Sequence, residues 1–476
     1  MTRRGTRPDP RLERGPPERG PPGRSPLESV PSVRIVSGSG GPVSLSPPVL
    51  LALVYLTAIV VGAGLLMLPF AQAQPVTLFE ALFTAVSATC VTGLTIVPTG
   101  ASYTGFGQAV LMVQMQLGGV GLIVAATLII SALGGKIGPM GRNALKEELG
   151  RTSIARVKDI TLRIMVLVIA LELTGAVLFA FAFVPELGWA EGLWFSLFHA
   201  ISAFNNAGFD LTDTSFRDYA TSAPVLIAAS LLIIVGGLGW GVVVDLWDAQ
   251  RWRDLGLHTR LTLTGTAILL AGGALVLGLV EWNNAETIGA APLGERITTA
   301  VFQSITARTA GFSTVDIGAL SDEAALVMML LMFIGAGAAS TAGGIKVATF
   351  MVAMLATISF YRRRREIQIF SRRLDFTNIV KVLAVIMSGA LVVIAGTFAL
   401  TVVAQGDFLD LAFEAVSAFG TVGLSRGVTT EIGQPGQTVL MVLMMLGRIG
   451  PITLGYFLLV PRSRIVHYPR GRIFLG

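Results

Sequence analysis

Four short segments of this 476-residue chain end in glycine after a run of small and polar residues. They are Ser87-Ala88-Thr89-Cys90-Val91-Thr92-Gly93-Leu94, Ser202-Ala203-Phe204-Asn205-Asn206-Ala207-Gly208-Phe209, Thr306-Ala307-Arg308-Thr309-Ala310-Gly311-Phe312 and Ser417-Ala418-Phe419-Gly420-Thr421-Val422-Gly423-Leu424. The chemistry they offer lies in the backbone. Glycine permits a positive φ, which turns carbonyls inward, and four such loops about one axis would form a ring of carbonyl oxygens. Such a ring can replace the water shell of a potassium ion. A single glycine in an apolar chain is equally a helix-packing residue. Four at equivalent places, each with the same Ser/Thr-Ala start, favour the ring. Leu94, Phe209, Phe312 and Leu424, which follow the glycines, read as packing residues.

The elements that would position such loops are apolar helices. Hydrophobic residues make up 53% of the chain and charged residues only 13%, with a mean hydropathy of +0.72. A soluble protein of this length needs a more polar surface, so the composition predicts a polytopic membrane protein in a lipid bilayer. The single cysteine, Cys90, excludes an internal disulfide and a multi-cysteine metal site. His199, His258 and His467 have no metal-ligand spacing. The net charge of +6 comes from basic residues between apolar spans. It reads as the positive-inside pattern rather than as nucleic-acid binding.

Residues 1–45 are rich in Arg, Pro, Gly and Ser, and are expected to form a disordered cytoplasmic tail without signal-peptide features. After them the apolar spans come in pairs with a shorter apolar segment between. Pro48–Pro69 and Gln108–Leu133 flank Val76–Ala88. Ile160–Val184 and Ala223–Leu246 flank Ala190–Ala203. Leu261–Val280 and Ala324–Ala356 flank Leu293–Ile305. Ile379–Ala404 and Val439–Val460 flank Phe408–Ala418. The long segments can cross a bilayer; the short ones read as re-entrant half-helices. This predicts four units, at 46–135, 136–250, 251–360 and 361–476, the last including a cytoplasmic C-terminal tail. The loop glycines stand roughly 100–115 residues apart, one per unit. Basic residues concentrate between units: Lys136, Arg142, Lys146, Arg151, Arg156, Lys158 and Arg163, then Arg251, Arg253 and Arg260, then Arg362 to Arg365, Arg372, Arg373 and Lys381, and finally Arg462, Arg464, Arg470 and Arg472. Both termini and the inter-unit loops are therefore expected in the cytoplasm, with the glycine loops reached from outside.

Two further features stand out. Gly335-Ala336-Gly337-Ala338-Ala339-Ser340-Thr341-Ala342-Gly343-Gly344 interrupts an apolar span. Each glycine weakens a helix by ~1 kcal/mol relative to Ala, and non-helical backbone at that depth should line a watery path. A close helix-packing face is the alternative. Lys346, just after it, could anchor the segment or snorkel to the inner interface. Arg448 lies inside the last apolar span. A charge there faces a cavity or a partner, or snorkels if it sits near the inner interface. Arg308, inside the third loop, is expected to point away from a cation and to pair with an acid or with carbonyls. Glu80, Glu172 and Glu414 have no partner assignable from sequence.

The four loops, the stretch Ser340-Thr341-Ala342-Gly343-Gly344-Ile345-Lys346 and the stretch Gly447-Arg448-Ile449-Gly450-Pro451-Ile452-Thr453 resemble the Trk/Ktr/HKT superfamily of cation transporters, and within it the Ktr membrane subunits. The resemblance covers residue 47 to the C-terminus. It implies an all-α membrane protein of four pseudo-symmetric M1-P-M2 units (helix, pore half-helix, filter loop, helix) around a single pore. The filter residues would be Thr89, Cys90, Val91, Thr92 and Gly93; Asn205, Asn206, Ala207 and Gly208; Arg308, Thr309, Ala310 and Gly311; and Gly420, Thr421, Val422 and Gly423. Family members with glycine in all four loops are associated with potassium selectivity, and a serine in the first loop with sodium-preferring plant relatives; here that position is Gly93. The gate would comprise Gly335, Gly337, Ser340, Thr341, Gly343, Gly344, Lys346 and Arg448. This chain has Ala339-Ser340 and no nearby proline where the family pattern has Gly-Ser and often proline. The resemblance further implies K⁺ as the transported ion, Na⁺ as an activator, a homodimer, and a cytoplasmic ring of nucleotide-binding RCK (KtrA-type) subunits that bind ATP, ADP or a related nucleotide. The chain has no Walker-type loop of its own. A Na⁺-coupled symporter is the rival reading. An enzyme is not expected, because the spans are almost free of His and acids.

Overall fold

The computed structural model describes residues 47–132, 154–212, 214–363, 366–370, 372–374 and 376–450, and two short strands at 33–35 and 43–45. Most of the N-terminal tail, the basic residues Lys136, Arg142, Lys146, Arg151, Arg364 and Arg365, and everything from Pro451 onward, including Arg462, Arg464, Arg470 and Arg472, lie outside the described residues. Within residues 1–45, β1 (Val33–Ile35) and β2 (Val43–Leu45) pair antiparallel, Val33 opposite Leu45.

The rest is helical. In chain order the helices are α1 (Pro47–Leu66), α2 (Leu78–Cys90), the single turn α3 (Thr99–Ser102), α4 (Gly105–Ala132), α5 (Ile154–Leu187), α6 (Trp189–Phe204), α7 (Ala223–Leu238), α8 (Trp240–Asp248), α9 (Leu257–Val280), α10 (Leu293–Thr306), α11 (Asp322–Phe333), α12 (Val347–Tyr361), α13 (Phe376–Val403), α14 (Phe408–Gly420) and α15 (Gly433–Ile449). A two-residue hairpin, β3 (Gln368–Ile369) with β4 (Arg372–Arg373), separates α12 from α13. Among the described residues, Leu162–Leu187, α9 and Thr377–Val403 are long and apolar enough to cross a membrane, and α7 with α8 would add a fourth as one bent span. Their outward faces carry exposed Val166, Phe181, Leu275, Leu391 and Phe398. Such a surface suits lipid and not water.

The short helices α2, α6, α10 and α14 are the ones buried at the centre. Each carries a fully or nearly fully buried phenylalanine: Phe83, Phe198, Phe302 and Phe413. Helix α2 starts in a capping box. The Thr77 hydroxyl accepts from the Glu80 N–H (3.3 Å), and the Glu80 carboxylate accepts from the Thr77 N–H (2.7 Å). This is the partner Glu80 lacked in the sequence, and the Thr-x-x-Glu spacing is the signal that finds it.

Two of the expected spans are broken. Ala223–Leu246, which reads as one continuous apolar span, is α7 and α8 bent by 95°. The break falls at Gly239, whose φ is +90°. A Cβ there would lie 2.2 Å from the Ala338 carbonyl oxygen, so only glycine fits. Ala324–Ala356, expected to be interrupted, is α11 and α12 with residues 334–346 non-helical between them.

Candidate functional site

Each short helix ends in a loop of one design. The residue two before the glycine is left-handed in all four: Val91 (φ 57°), Asn206 (56°), Thr309 (78°) and Thr421 (51°). The glycines follow with φ of 90°, 67°, 82° and 94° at Gly93, Gly208, Gly311 and Gly423. Left-handed backbone costs a non-glycine residue about 1–2 kcal/mol, so each loop must be held. The Ser or Thr that opens each segment does this. The N–H before each glycine bonds the carbonyl of that residue: Thr92 to Ser87 (2.8 Å), Ala207 to Ser202 (2.8 Å), Ala310 to Thr306 (2.9 Å) and Val422 to Ser417 (2.9 Å). Their hydroxyls pin the glycine end. Ser87 and Ser417 accept from the N–H of Gly93 and Gly423 (3.1 and 3.2 Å). Ser202 and Thr306 donate to the carbonyls of Phe209 and Phe312 (2.6 and 2.5 Å).

The four loops close a ring. A Cβ added to Gly93 would meet the Ala207 carbonyl oxygen at 2.5 Å. At Gly208 it would meet that of Ala310 at 3.0 Å, at Gly311 that of Val422 at 2.4 Å, and at Gly423 that of Thr92 at 2.2 Å. Every glycine therefore faces the carbonyl that precedes the next glycine, and the fourth returns to the first. Leu94, Phe209, Phe312 and Leu424 are buried behind it.

The side chains of the loop residues turn to the surrounding helices. The Thr89 hydroxyl accepts from the Gln114 amide (3.2 Å), and Cys90 is buried. Asn205 donates to Gln116 (2.5 Å) and to Glu172 (3.3 Å). The Asn206 amide, turned so that its NH₂ donates, reaches the carbonyls of Ala203 (3.1 Å) and Ile233 (3.3 Å). Arg308 donates to the carbonyls of Gly335 (3.0 Å) and Thr266 (3.4 Å). Of the two kinds of partner expected for it, carbonyls are the ones present.

Residues 334–346 lie against these loops. Their neck is closed by a parallel bridge of Ile334 with Ile345. The segment bonds the broken span beside it: Gly337 N–H to Gly237 (2.7 Å), and Trp240 N–H to Ala339 (3.1 Å). It also touches the glycine loops. The Thr341 hydroxyl donates to the Phe204 carbonyl (3.4 Å), and a Cβ on Gly343 would meet the Thr421 hydroxyl at 2.2 Å. Ser340 bonds the Gly337 carbonyl (2.7 Å), and Gly344 takes a φ of 64°.

Two cations hold three successive carbonyls of this segment. Lys346 donates to Ala342 (2.7 Å) and Gly343 (3.4 Å). Arg448 donates to the carbonyl of Thr341, and also to that of Gly118 and to the Tyr55 hydroxyl (3.2 Å). A further regularity was not read from the sequence. Cβ atoms on Gly118, Gly236 and Gly447 would meet the carbonyl oxygens of Thr89, Phe204 and Phe419 at 2.2, 2.0 and 1.8 Å. Three helices thus approach three loops through a glycine at one place. The next residue is Gly119 in α4, Gly237 in α7 and Arg448 in α15.

Apolar helices with lipid-suited outer faces surround this closed ring of backbone carbonyls, the arrangement of a membrane protein. Among the described residues no cluster of His, Cys, Asp or Glu could hold a resident metal. Residues 52–468 match the TrkH family, cation transport proteins, and the chain belongs to that family of membrane cation transporters. It is 41% identical to the Ktr system potassium uptake protein B of Bacillus subtilis, over 91% of this chain and 98% of the relative. It is 37% identical to the protein of the same name from Vibrio alginolyticus, over 90% and 95%. To the potassium/sodium uptake protein NtpJ of Enterococcus hirae it is 34% identical, over 91% and 98%. The crystal structure of the potassium transporter TrkH from Vibrio parahaemolyticus shares the fold, with a TM-score of 0.70 at 19% identity over 87% of this chain and 84% of that one.

Proposed function

We propose that the chain is a potassium uptake protein whose four glycine loops form one selectivity filter. The cyclic contact of Gly93, Gly208, Gly311 and Gly423 with the carbonyls of Ala207, Ala310, Val422 and Thr92 carries this reading. Those oxygens would replace the hydration shell of K⁺, and the negative C-terminal ends of α2, α6, α10 and α14 would add to the attraction. Four units at 46–135, 136–250, 251–360 and 361–476 would surround the path, with both termini in the cytoplasm. The membrane potential would drive uptake, at ~2.3 kcal/mol per charge per 100 mV. Residues Gly335–Gly344 would be the gate, with Lys346 and Arg448 as its fastenings. A homodimer carrying cytoplasmic nucleotide-binding RCK subunits would be the working assembly. The names of the Ktr relatives, as parts of a system, support a regulatory partner.

The test is rubidium uptake into liposomes holding the purified chain, with Na⁺ and Li⁺ as competitors. Uptake that Na⁺ blocks as well as K⁺ does would refute a potassium filter. The name of the Enterococcus relative favours a second reading, in which Na⁺ accompanies K⁺. Uptake that needs Na⁺ in fixed ratio would establish it, whereas uptake without Na⁺ would leave the gated pore.

A further inference from the structure

Each glycine is followed by an outward leg of loop, and in three of the four loops the short helix that precedes it reaches back with one buried polar side chain to hold that leg. In the fourth loop the side chain is Glu414, nine residues before Gly423 and fully buried in α14. Its carboxylate accepts from the Ser425 hydroxyl (2.5 Å), the Arg426 N–H (3.1 Å) and the Thr429 hydroxyl (2.6 Å). In the second loop His199, nine residues before Gly208, does the same. Its Nδ1 lies 2.8 Å from the Phe195 carbonyl, and a carbonyl only accepts, so Nδ1 carries the proton. Nε2 is then the acceptor for the Leu211 N–H (3.4 Å). Leu211 and Arg426 are each third after their glycine. In the third loop Gln303 donates to Ser313 (3.0 Å) and Thr314 (3.4 Å). In the first loop Thr84, also nine before its glycine, donates instead to the Glu80 carbonyl (2.8 Å).

Glu414 and His199 are chemically unlike, yet they meet the same backbone N–H of the same leg from the same helical position. We propose that they are positioning residues of the glycine ring. The opening Ser or Thr pins each loop at its glycine, and Glu414 or His199 pins it three residues further out. The carbonyls between are then set by the short helix rather than left to settle around whichever ion arrives. A ring so held cannot contract around the smaller Na⁺, so these side chains contribute to K⁺ over Na⁺ preference without touching an ion. The inference rests on the reading of the ring as the filter.

Glu414→Gln and Glu414→Leu separate positioning from mere packing. Glutamine keeps the shape and one acceptor oxygen, and the Ser425 and Thr429 hydroxyls can turn to accept from its NH₂. Leucine keeps the volume and orphans all three donors. Rubidium and sodium uptake would be measured on the purified full chain in liposomes, beside Gly93→Ser. The Rb⁺/Na⁺ ratio is expected to fall about tenfold in Glu414→Leu and to stay within about threefold of wild type in Glu414→Gln. A folded Glu414→Leu protein with the wild-type ratio, beside a Gly93→Ser protein whose ratio has dropped, would overturn the positioning role and leave the filter standing. Wild-type ratios in both would overturn the filter itself and this inference with it. An equal fall in Glu414→Gln and Glu414→Leu would overturn positioning in favour of the charge alone. If Glu414→Leu does not fold, Ser425→Ala with Thr429→Val removes two of the three donors while keeping the carboxylate. The same fall is then expected, and an unchanged ratio refutes the proposal.

Discussion

Replacing Arg448 by alanine should open the path. Arg448 joins the segment 334–346 to two other helices, through the carbonyl of Thr341 on one side and that of Gly118 in α4 and the hydroxyl of Tyr55 in α1 on the other. Only the bond to Thr341 must break when the segment moves, because Gly118 and Tyr55 lie on elements that need not follow it. A hydrogen bond from a charged donor contributes about 1.5–3 kcal/mol. Losing it shifts a closed-to-open equilibrium by about tenfold to a hundredfold. Flux can rise only until the open state dominates, so a gate already open a tenth of the time would gain about tenfold at most. Arg448→Lys keeps the charge but has no planar fork to reach two carbonyls at once, and should fall between alanine and wild type. The assay is rubidium uptake per correctly folded molecule in liposomes, for both variants beside wild type. If Arg448→Ala lowers the yield of folded protein and leaves uptake per molecule unchanged, Arg448 is a structural tie and the latch is refuted.

Three other outcomes are expected. Gly93→Ser would place a side chain within 2.5 Å of the Ala207 carbonyl oxygen at a φ of +90°; the K⁺/Na⁺ uptake ratio should drop about tenfold or more, and an unchanged ratio would count against this loop as filter. Deleting Ala336–Ala339 removes the Gly337 N–H bond to α7 and the Ala339 and Ala336 carbonyls that accept from α8 and α12 and keeps both residues of the Ile334–Ile345 bridge; rubidium uptake should rise and depend less on any regulatory subunit, and unchanged uptake in a folded protein would reduce the segment to a packing face. The third concerns pH at the C-terminal end of α9. Burial pushes the Glu281 carboxyl upward, but hydrogen bonds from Ser321 (side chain and N–H), Thr287 and Asn284 outweigh it and hold it below its ordinary value. A carboxyl depressed in the folded state stabilises at pH above its ordinary value and loses that contribution as pH falls through the lowered one. Melting in detergent should therefore decline faster with acid below about pH 4.5 in wild type than in Glu281→Gln; parallel declines would rule the staple out.

The site was legible where the chain repeats itself. Four Ser/Thr-Ala starts ahead of four glycines named the loops, and the glycine content of 335–344 announced the break between α11 and α12. The bend at Gly239 was not legible, because Ala223–Leu246 is apolar throughout and one glycine in such a run is ordinary. What breaks it is a segment about a hundred residues further on, whose Gly337 and Ala339 replace helical partners. The left-handed backbone at Val91 and Thr421 had no signal either, since β-branched residues disfavour it; the hydroxyls four residues earlier, on Ser87 and Ser417, that hold it act only once the loop is folded. Arg448 announced itself as a charge in an apolar span. Its partners Thr341 and Gly118 are joined to it only by the fold, and a carbonyl leaves no mark on a sequence. Glu80 could have been placed from its Thr-x-x-Glu spacing alone.

The place of Arg448 has a consequence for the ancestry of such a chain. It stands next to the close-approach glycine of α15, where α4 and α7 carry a second glycine. Four identical subunits around one axis would have to carry arginine at that place four times or not at all. Four guanidinium groups converging in a low-dielectric interior repel one another by several kcal/mol per pair at an effective dielectric constant of about 20, and their carbonyl partners would be fourfold too. A homotetramer is thus barred from having a single tongue fastened by a single cation. On the four-unit reading proposed above, joining the quarters into one polypeptide would lift that bar: one quarter would be free to supply the tongue, another the fastening, and a third to stay bare enough for both to fit.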